Sequence, residues 1–330
     1  MTFRMDCGGG RRLEQKLIID ADPGIGDALV IALALLNPEI DLIGITPTAG
    51  CTSGENASRN VHAIVGLLDP LKWPRVGWAE GPVSLADQCG GPNPKILNGP
   101  TGLGELKVPV AAPHQKHDSP KLLVDLVRTH PNEVTLLTLG PLTNLELAQE
   151  RCPEFLSLLK GVVILGGSVA HGGDATASAE FNMFADPEAA RSVLSSPATK
   201  TLVPLDATRR VMLTFSQYDR LAIDKHTRFG RLLDQTLPFA FRAQHEHLGV
   251  EGFPLAEVVA LAAVLRPDLF QRKSMSVDVE TQGELTRGMT VFDNRRVSPT
   301  QHNIDVLMHV DSQSILDLFT LMIRNSPTEA

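Results

Sequence analysis

Three aspartates, Asp20, Asp22 and Asp27, lie close together near the start of the chain. A short apolar run ends at Asp20, a Pro-Gly pair breaks the backbone, and a long apolar run begins at Ala28, which indicates a strand-to-helix turn. Crowded carboxylates repel one another, and Ca²⁺, which takes about six to eight oxygen ligands, would relieve the repulsion. The alternative is structural: Asp22 caps the helix and Asp27 interacts with its positive end. Capping needs one acid, so the turn is also a candidate calcium site.

The elements around this turn alternate between strand and helix patterns. Short β-branched runs predict strands at Leu17–Asp20, Leu42–Thr46, Val134–Thr138, Val162–Leu165 and Thr201–Val203. Amphipathic runs predict helices at Asn56–Leu68, Ser119–Thr129, Leu142–Gln149 and Asp186–Leu194. The alternation predicts an α/β fold with an open, mostly parallel, doubly wound sheet in one large domain. Ligands bind beyond the carboxyl ends of such strands, and Gly90–Gly104 is predicted to be a loop over that site.

Further motifs follow in order along almost the whole chain. They are Arg59-Asn60, Gly140-Pro141-Leu142-Thr143-Asn144, Gly166-Gly167, Ala179-Glu180-Phe181-Asn182, Asp186-Pro187-Glu188-Ala189-Ala190 and Gly283-Glu284-Leu285-Thr286-Arg287-Gly288-Met289-Thr290-Val291. The acidic turn matches the pattern Asp-x-Asp-Pro-Gly-x-Asp-Asp except at Gly26. Together these motifs resemble the nucleoside hydrolase family, in its inosine/uridine-preferring group. The resemblance implies hydrolysis of the N-glycosidic bond of a ribonucleoside or a related ribosyl compound.

The resemblance also implies a calcium site. In the family, aspartates of the first loop, a backbone carbonyl and an acid from a late helix bind one Ca²⁺, which here implies the ligands Asp22, Asp27, Leu139 and Glu257. Asp22 would also take a proton from the calcium-bound water that attacks the sugar. Asp20 would lie behind these ligands and orient them. Glu257 stands where the family has Asp, and calcium's flexible coordination can absorb its additional methylene.

Substrate contacts are implied in the same way. Glu180 and Asn182 match residues that hydrogen-bond the ribose hydroxyls, and their Ala-Glu-Phe-Asn context argues against ordinary loop polarity. Asn98 replaces a frequent histidine, Asp174 replaces an asparagine near the 5′ side, and Cys51 replaces an asparagine of the sugar pocket. These three positions are expected to line the substrate pocket. Cys51 has no base near it in sequence, so pocket lining is favoured over a nucleophilic role.

Two further departures concern the sugar and the leaving group. Gly26 stands where an Asp contacts the ribose 2′-hydroxyl in the family, and Ala256 stands where a His protonates the leaving base in many members. Loss of a general acid costs about 10²- to 10⁴-fold in rate. His245 and His247 are candidate proton donors in its place, and a position on the surface is the alternative for each. A family member that acts on another ribosyl compound would need neither histidine as a proton donor.

Composition excludes several classes of partner. The 330-residue chain has a formal charge of −8 and no cluster of Lys and Arg, which argues against a nucleic-acid partner. The longest apolar run, Ala28–Leu36, is about half the length that crosses a bilayer, so no membrane span is expected. Residues 1–15 predict a flexible tail without a signal peptide, ahead of one domain at 16–330. Four separated cysteines predict reduced thiols and a cytoplasmic protein. The resemblance implies a homo-oligomer, either a dimer or a tetramer.

Two functions stay open on sequence alone. The first is a calcium-dependent N-glycosyl hydrolase. The second is a catalytically impaired ribosyl-binding protein of the same fold, which the substitutions at site positions favour because a fold does not fix a function. A phosphate-handling enzyme with Mg²⁺ on the acidic turn fits less well, because the chain has no glycine-rich phosphate-binding loop.

Overall fold

The computed structural model describes residues 14–79, 89, 93–106, 116–221, 223–295 and 302–325. The strands within these ranges are β1 (Gln15–Ala21), β2 (Ile40–Pro47), β3 (Arg75–Val76), β4 (Thr135–Thr138), β5 (Gly161–Leu165), β6 (Lys200–Val203), β7 (Met212–Leu213), β8 (Phe253–Pro254), β9 (Phe270–Met275), β10 (Val277–Val279), β11 (Thr290–Phe292) and β12 (Ile304–Val310). Eight of them form one sheet in the order β3-β2-β1-β4-β5-β6-β12-β9. Neighbouring strands in it are parallel, except that β9 runs antiparallel to β12. The predicted open, mostly parallel α/β sheet is therefore confirmed.

Helices connect these strands. In the described ranges they are α1 (Ile25–Leu36), α2 (Gly54–Leu68), α3 (Pro94–Asn98), α4 (Ser119–Thr129), α5 (Thr143–Arg151), α6 (Phe181–Ala185), α7 (Pro187–Ser195), α8 (Leu205–Thr208), α9 (Phe215–Arg220), α10 (Arg228–Leu248), α11 (Ala256–Leu265) and α12 (Ser312–Asn325). Each predicted strand and helix coincides with one of these elements within a few residues. The last third mixes long helices with short strands, and β7 with β8 and β10 with β11 form two small antiparallel ribbons.

Both faces of the sheet are buried. Successive strand residues point to opposite faces. In β1, Leu17 and Ile19 pack into a core with apolar residues of α1, α10 and α11, whereas Ile18 packs into a second core with residues of α4, α5 and α7. Helices therefore cover the sheet on both sides, which is why its central strands are apolar along their whole length.

The direction in which strands are added reverses at β1. The chain places β2 and β3 on one side of β1 and then β4, β5 and β6 on the other. Connecting loops diverge at such a reversal and leave a crevice at the carboxyl ends of the strands. Asp20 is paired in register with Thr138 of β4. Asp22, two residues after Asp20, and Leu139, directly after Thr138, consequently emerge beside each other in the crevice.

Two predictions concern segments that the structure describes only in part. Residues 90–92 of the predicted loop Gly90–Gly104 lie outside the described residues, and α3 occupies Pro94–Asn98, so this segment is not a loop throughout. Residues 1–13 also lie outside them, and β1 begins at Gln15, so the flexible tail at 1–15 stays a prediction. None of the helices described has both the length and the apolar character needed to cross a bilayer.

Candidate active site

A cavity of about 930 Å³ opens beyond the carboxyl ends of the central strands. Cavities that hold small organic ligands span roughly 300–1,000 Å³. Nine of the residues predicted as site residues line it: Asp22, Asp27, Cys51, Asn98, Leu139, Asp174, Glu180, Asn182 and Glu257. The fold thus gathers residues that are widely separated in sequence around one space large enough for a nucleoside.

Asp22 follows β1 directly and forms part of the cavity floor. Its Oδ2 accepts a hydrogen bond from the Cys51 backbone N–H at 2.5 Å, and its carbonyl accepts one from the Cys51 thiol at 2.7 Å. A Cβ on Gly50 would lie 2.0 Å from Oδ2, and a Cβ on Gly140 would lie 2.6 Å from Oδ1. Both glycines are needed for this close approach, so backbone on two sides fixes the direction of the Asp22 carboxylate.

Asp27, rather than Asp22, caps α1. Its Oδ2 accepts a hydrogen bond from the Gly24 N–H at 2.9 Å, which closes the first turn of the helix and starts it at Ile25. Its Oδ1 is buried and has no hydrogen-bond partner among the described residues. A buried polar atom without a partner costs about 1–3 kcal/mol. A bound cation would satisfy this oxygen.

Glu257, in the first turn of α11, brings a third carboxylate to the same floor. Burial raises the pKa of Asp22 to about 7 and that of Glu257 to about 6. Burial, together with the nearby charges of Asp22 and Glu257, raises the pKa of Asp27 well above its usual value. Low polarity and like charges both disfavour the ionised forms. A divalent cation would stabilise all three carboxylates in the ionised state.

The donor set at this floor fits a hard cation. Ca²⁺ binds carboxylate and carbonyl oxygens, and the floor offers three carboxylates and the Leu139 carbonyl. Within the part of the chain that the structure describes, no three His, Cys, Asp or Glu side chains already stand at metal-holding distances. An ion would therefore have to draw the other carboxylates toward Asp22, whose direction the backbone fixes. The unpartnered Oδ1 of Asp27 would lose no hydrogen bond in that movement.

Asp20 lies behind the floor and does not line the cavity. Its Oδ2 accepts hydrogen bonds from Thr46 Oγ1 at 2.6 Å and from Asn144 Nδ2 at 2.8 Å. Burial raises its pKa to about 7. Asn144 also donates to the Pro47 carbonyl at 2.8 Å. Asp20 thereby ties together the ends of β1, β2 and the turn after β4, which hold the residues of the floor.

Glu180 and Asn182 also line the cavity, at the start of α6. Glu180 accepts hydrogen bonds from the backbone N–H groups of Gly167, Asn182 and Met183 at 2.8–3.2 Å. Burial, followed by the charge of Asp174, raises its pKa to about 8. Asn182 Nδ2 donates to the carbonyls of Leu139 at 2.7 Å and Leu165 at 3.0 Å. The amide therefore orients the Leu139 carbonyl, which had been predicted only as a metal ligand.

Asn98 and Asp174 line the cavity as well and are less buried than Asp22 and Asp27. Asn98 Oδ1 accepts a hydrogen bond from the Ile25 N–H at 2.9 Å, which links the end of α3 to the start of α1. The exposed Asp174 accepts one from the Phe181 N–H at 2.8 Å. Both side chains are thus held by backbone N–H groups at the starts of α1 and α6.

The apolar side of the cavity was not predicted from the sequence. It is formed by the β7–β8 ribbon and the end of α10, with the residues Met212, Leu248, Val250, Phe253 and Pro254. Buried Gln244 of α10 also lines this side. Helical spacing could have revealed part of it, because residues four apart, such as Gln244 and Leu248, share one face of a helix.

The two histidines predicted as candidate proton donors are not brought to the cavity. His245 and His247 are exposed on α10, and neither is among the residues that line the cavity. His245 Nδ1 lies 3.1 Å from Glu251 Oε1 on the surface. Although both lie close in sequence to Gln244, which lines the cavity, they do not reach it, because neighbouring residues of a helix point in different directions.

Cys51 lacks the surroundings of a nucleophile. Burial, followed by the charges of Asp22 and Asp27, raises the pKa of its thiol well above the usual value, and a thiol reacts only as the thiolate. We expect iodoacetamide to label Cys51 at neutral pH at least about an order of magnitude more slowly in the native protein than in urea. Mass spectrometry of the Cys51 peptide measures both rates. Equal rates in the two states would contradict this prediction.

A doubly wound sheet with an acidic cavity where its strand order reverses is typical of an α/β protein that binds a small molecule. Residues 17–317 match the family model for inosine-uridine preferring nucleoside hydrolase. The chain is 35% identical over 309 residues to the pyrimidine-specific ribonucleoside hydrolase RihA of Escherichia coli, covering 92% of this chain and 96% of that protein. It belongs to the nucleoside hydrolase family and is an N-glycosyl hydrolase of ribonucleosides.

Solved structures agree with this family. A plant nucleoside hydrolase, PpNRh1, is 26% identical with a TM-score of 0.83, covering 95% of this chain and 100% of that chain. A purine-preferring ribonucleoside hydrolase from Gardnerella vaginalis is 27% identical with a TM-score of 0.82, covering 94% of this chain and 98% of that chain. The resemblance identified from the motifs is therefore confirmed, and the enzyme is favoured over the ribosyl-binding alternative.

Proposed function

We propose that the chain hydrolyses the N-glycosidic bond of a ribonucleoside with the help of Ca²⁺ bound by Asp22, Asp27, Glu257 and the Leu139 carbonyl. The observation that carries the proposal is the convergence of three carboxylates at one cavity floor, of which Asp22 and Asp27 are buried and Asp27 has an unpartnered oxygen. When bound, such an ion polarises water and stabilises developing negative charge. The cytoplasmic location and the dimeric or tetrameric state stay predictions.

Asp22 is proposed to take the proton of the attacking water. Its Oδ2 already accepts the Cys51 N–H, so Oδ1 is the oxygen left for this proton. Without a cation, burial raises the pKa of Asp22 to about 7, and a bound cation would lower it again and keep the carboxylate ionised, as a general base must be. The backbone at Gly50 and Gly140 holds the carboxylate in one orientation, so little reorganisation accompanies the transfer. Asp20 supports this arrangement from behind.

The ribose is proposed to bind against Glu180 and Asn182. The carboxylate of Glu180 can accept hydrogen bonds from sugar hydroxyls, and its own bonds to backbone N–H groups keep it in place. Asn98 and Asp174 are proposed to contact the sugar as well, and Cys51 to line the floor of the cavity. Rigid polar groups of this kind place the anomeric carbon without a large entropic cost.

The nucleobase is proposed to lie against the apolar side of the cavity. Phe253 and Met212 offer flat and polarisable surface there, and Gln244 offers an amide donor and acceptor to the edge of a base. Among the relatives, RihA is named for pyrimidines and the Gardnerella vaginalis enzyme for purines. The family alone consequently does not select the base, and residues on this side of the cavity would select it.

We expect the calcium-loaded protein to release free ribose from uridine, cytidine or inosine. A reducing-sugar assay measures the release, and chromatography of the free base identifies the preferred nucleoside. The same reactions without protein give the background rate. If folded, calcium-bound protein releases sugar from none of the ribonucleosides or deoxyribonucleosides, the hydrolase proposal is wrong and the ribosyl-binding alternative replaces it.

A further inference from the structure

Gly26, the second residue of α1, faces the side chain of Glu257 on α11. A Cβ built on Gly26 would lie 2.3 Å from the Glu257 carboxylate carbon and 2.3 and 2.5 Å from its two oxygens. Non-bonded carbon atoms pack at about 3.5–4.0 Å. The three atoms nearest to that Cβ all belong to Glu257. The carboxylate of Glu257 therefore fills the space that any side chain at position 26 would occupy.

The backbone does not explain this glycine. Gly26 is not among the glycines with positive φ, and it lies inside a regular helix. Glycine is the least favourable ordinary residue there, because an alanine would lose less conformational entropy on folding. Space for a neighbouring group is the remaining reason for glycine, and that neighbour is the carboxylate of Glu257.

We propose that Gly26 is a positioning residue. Because it has no side chain, the Glu257 carboxylate can occupy the space over Gly26, on the cavity floor beside Asp22 and Asp27; we call this space the seat of the carboxylate. Glutamate reaches this seat from α11, and the seat exists only while position 26 is glycine. The departures at Gly26 and Glu257 are then one coupled change, in which α11 supplies the carboxylate that the acidic turn lacks. The functional consequence rests on the calcium site proposed above.

The test compares Gly26→Ala with Gly66→Ala. Gly66 is an exposed glycine of α2, and a Cβ there would meet nothing within 4 Å. Gly66→Ala should unfold in EDTA at or above the wild-type Tm, because alanine favours the helix, whereas Gly26→Ala must also displace the Glu257 carboxylate. Only Gly26→Ala should weaken Ca²⁺ binding, by about 10- to 100-fold in isothermal titration calorimetry, as is typical when a group that orients a ligand is changed. Its kcat/KM should fall, whereas Gly66→Ala should keep the wild-type value.

A shorter acid should relieve the clash. Glu257→Asp withdraws the carboxylate by one methylene, so Gly26→Ala/Glu257→Asp should bind Ca²⁺ more tightly than the sum of the two single changes predicts. Strict additivity, or unchanged Ca²⁺ affinity in Gly26→Ala, would overturn the proposal. If the wild-type protein binds no Ca²⁺, the proposed function fails instead. The positioning is then decided by crystal structures in EDTA, where the Glu257 carboxylate must leave its seat in Gly26→Ala and occupy it in the wild type.

Discussion

Asp22→Asn is expected to lower kcat by about 10²- to 10⁴-fold, the range for loss of a general base. Asparagine has the same shape, and its Oδ1 can still accept the hydrogen bond that the Cys51 N–H donates to Asp22. It cannot take a proton from water. Steady-state kinetics with the preferred ribonucleoside at saturating Ca²⁺ measure the effect, and a loss confined to kcat separates proton transfer from substrate binding.

Asp125→Asn is the matched control for this change. Asp125 lies on α4 and is not among the residues that line the cavity, so its kcat should equal that of the wild type. Asp22→Asn should also unfold in EDTA at or above the wild-type Tm, because a neutral amide does not carry the burial penalty of the carboxylate. Wild-type kcat in Asp22→Asn would show that another group takes the proton.

Most of the fold follows from the alternation of strand and helix patterns. Parallel strands end at the same edge of a sheet, so the loops after β1 and β4 meet there, whereas the Leu139 carbonyl was implied by the family resemblance. The register of Asp20 with Thr138 brings these loops together. The ordered motifs added Glu180 and Asn182, which line the same cavity. Local patterns suffice here because strand order alone sets which loops are neighbours.

The contacts between distant helices could not be predicted in this way. The seating of Glu257 over Gly26 depends on how α1 packs against α11, and neither helix pattern encodes the other. From the sequence, Gly26 indicated a missing contact and Glu257 an additional methylene. In the structure the missing side chain at Gly26 leaves the space that the longer side chain of Glu257 occupies. The apolar side of the cavity and the outward direction of His245 depend in the same way on the rotation of α10.

Chelation is expected to destabilise the protein more at pH 8 than at pH 5.5. In the metal-free fold, burial raises the pKa of Asp22 from 3.8 to about 7 and that of Glu257 from 4.5 to about 6. Between about pH 4 and pH 7 these groups are therefore protonated to a greater extent in the folded state than in the unfolded state. The contribution of these groups to stability is complete below about pH 4 and is lost as the pH rises through about 6 to 7.

Ca²⁺ binds the ionised carboxylates, so the stabilisation of the fold by Ca²⁺ should increase as the pH rises through the same range. At about 100 times Kd, binding contributes about 2.7 kcal/mol, which corresponds to a Tm shift on the order of 5 °C for a chain of this size. Thermal unfolding with Ca²⁺ and with EDTA at both pH values measures the shift. Asp27→Asn should abolish the shift and its pH dependence, because it removes a ligand oxygen at the floor, whereas Asp125→Asn should retain both. An equal shift at pH 5.5 and pH 8, or a larger one at pH 5.5, would show that the ion does not bind these buried carboxylates.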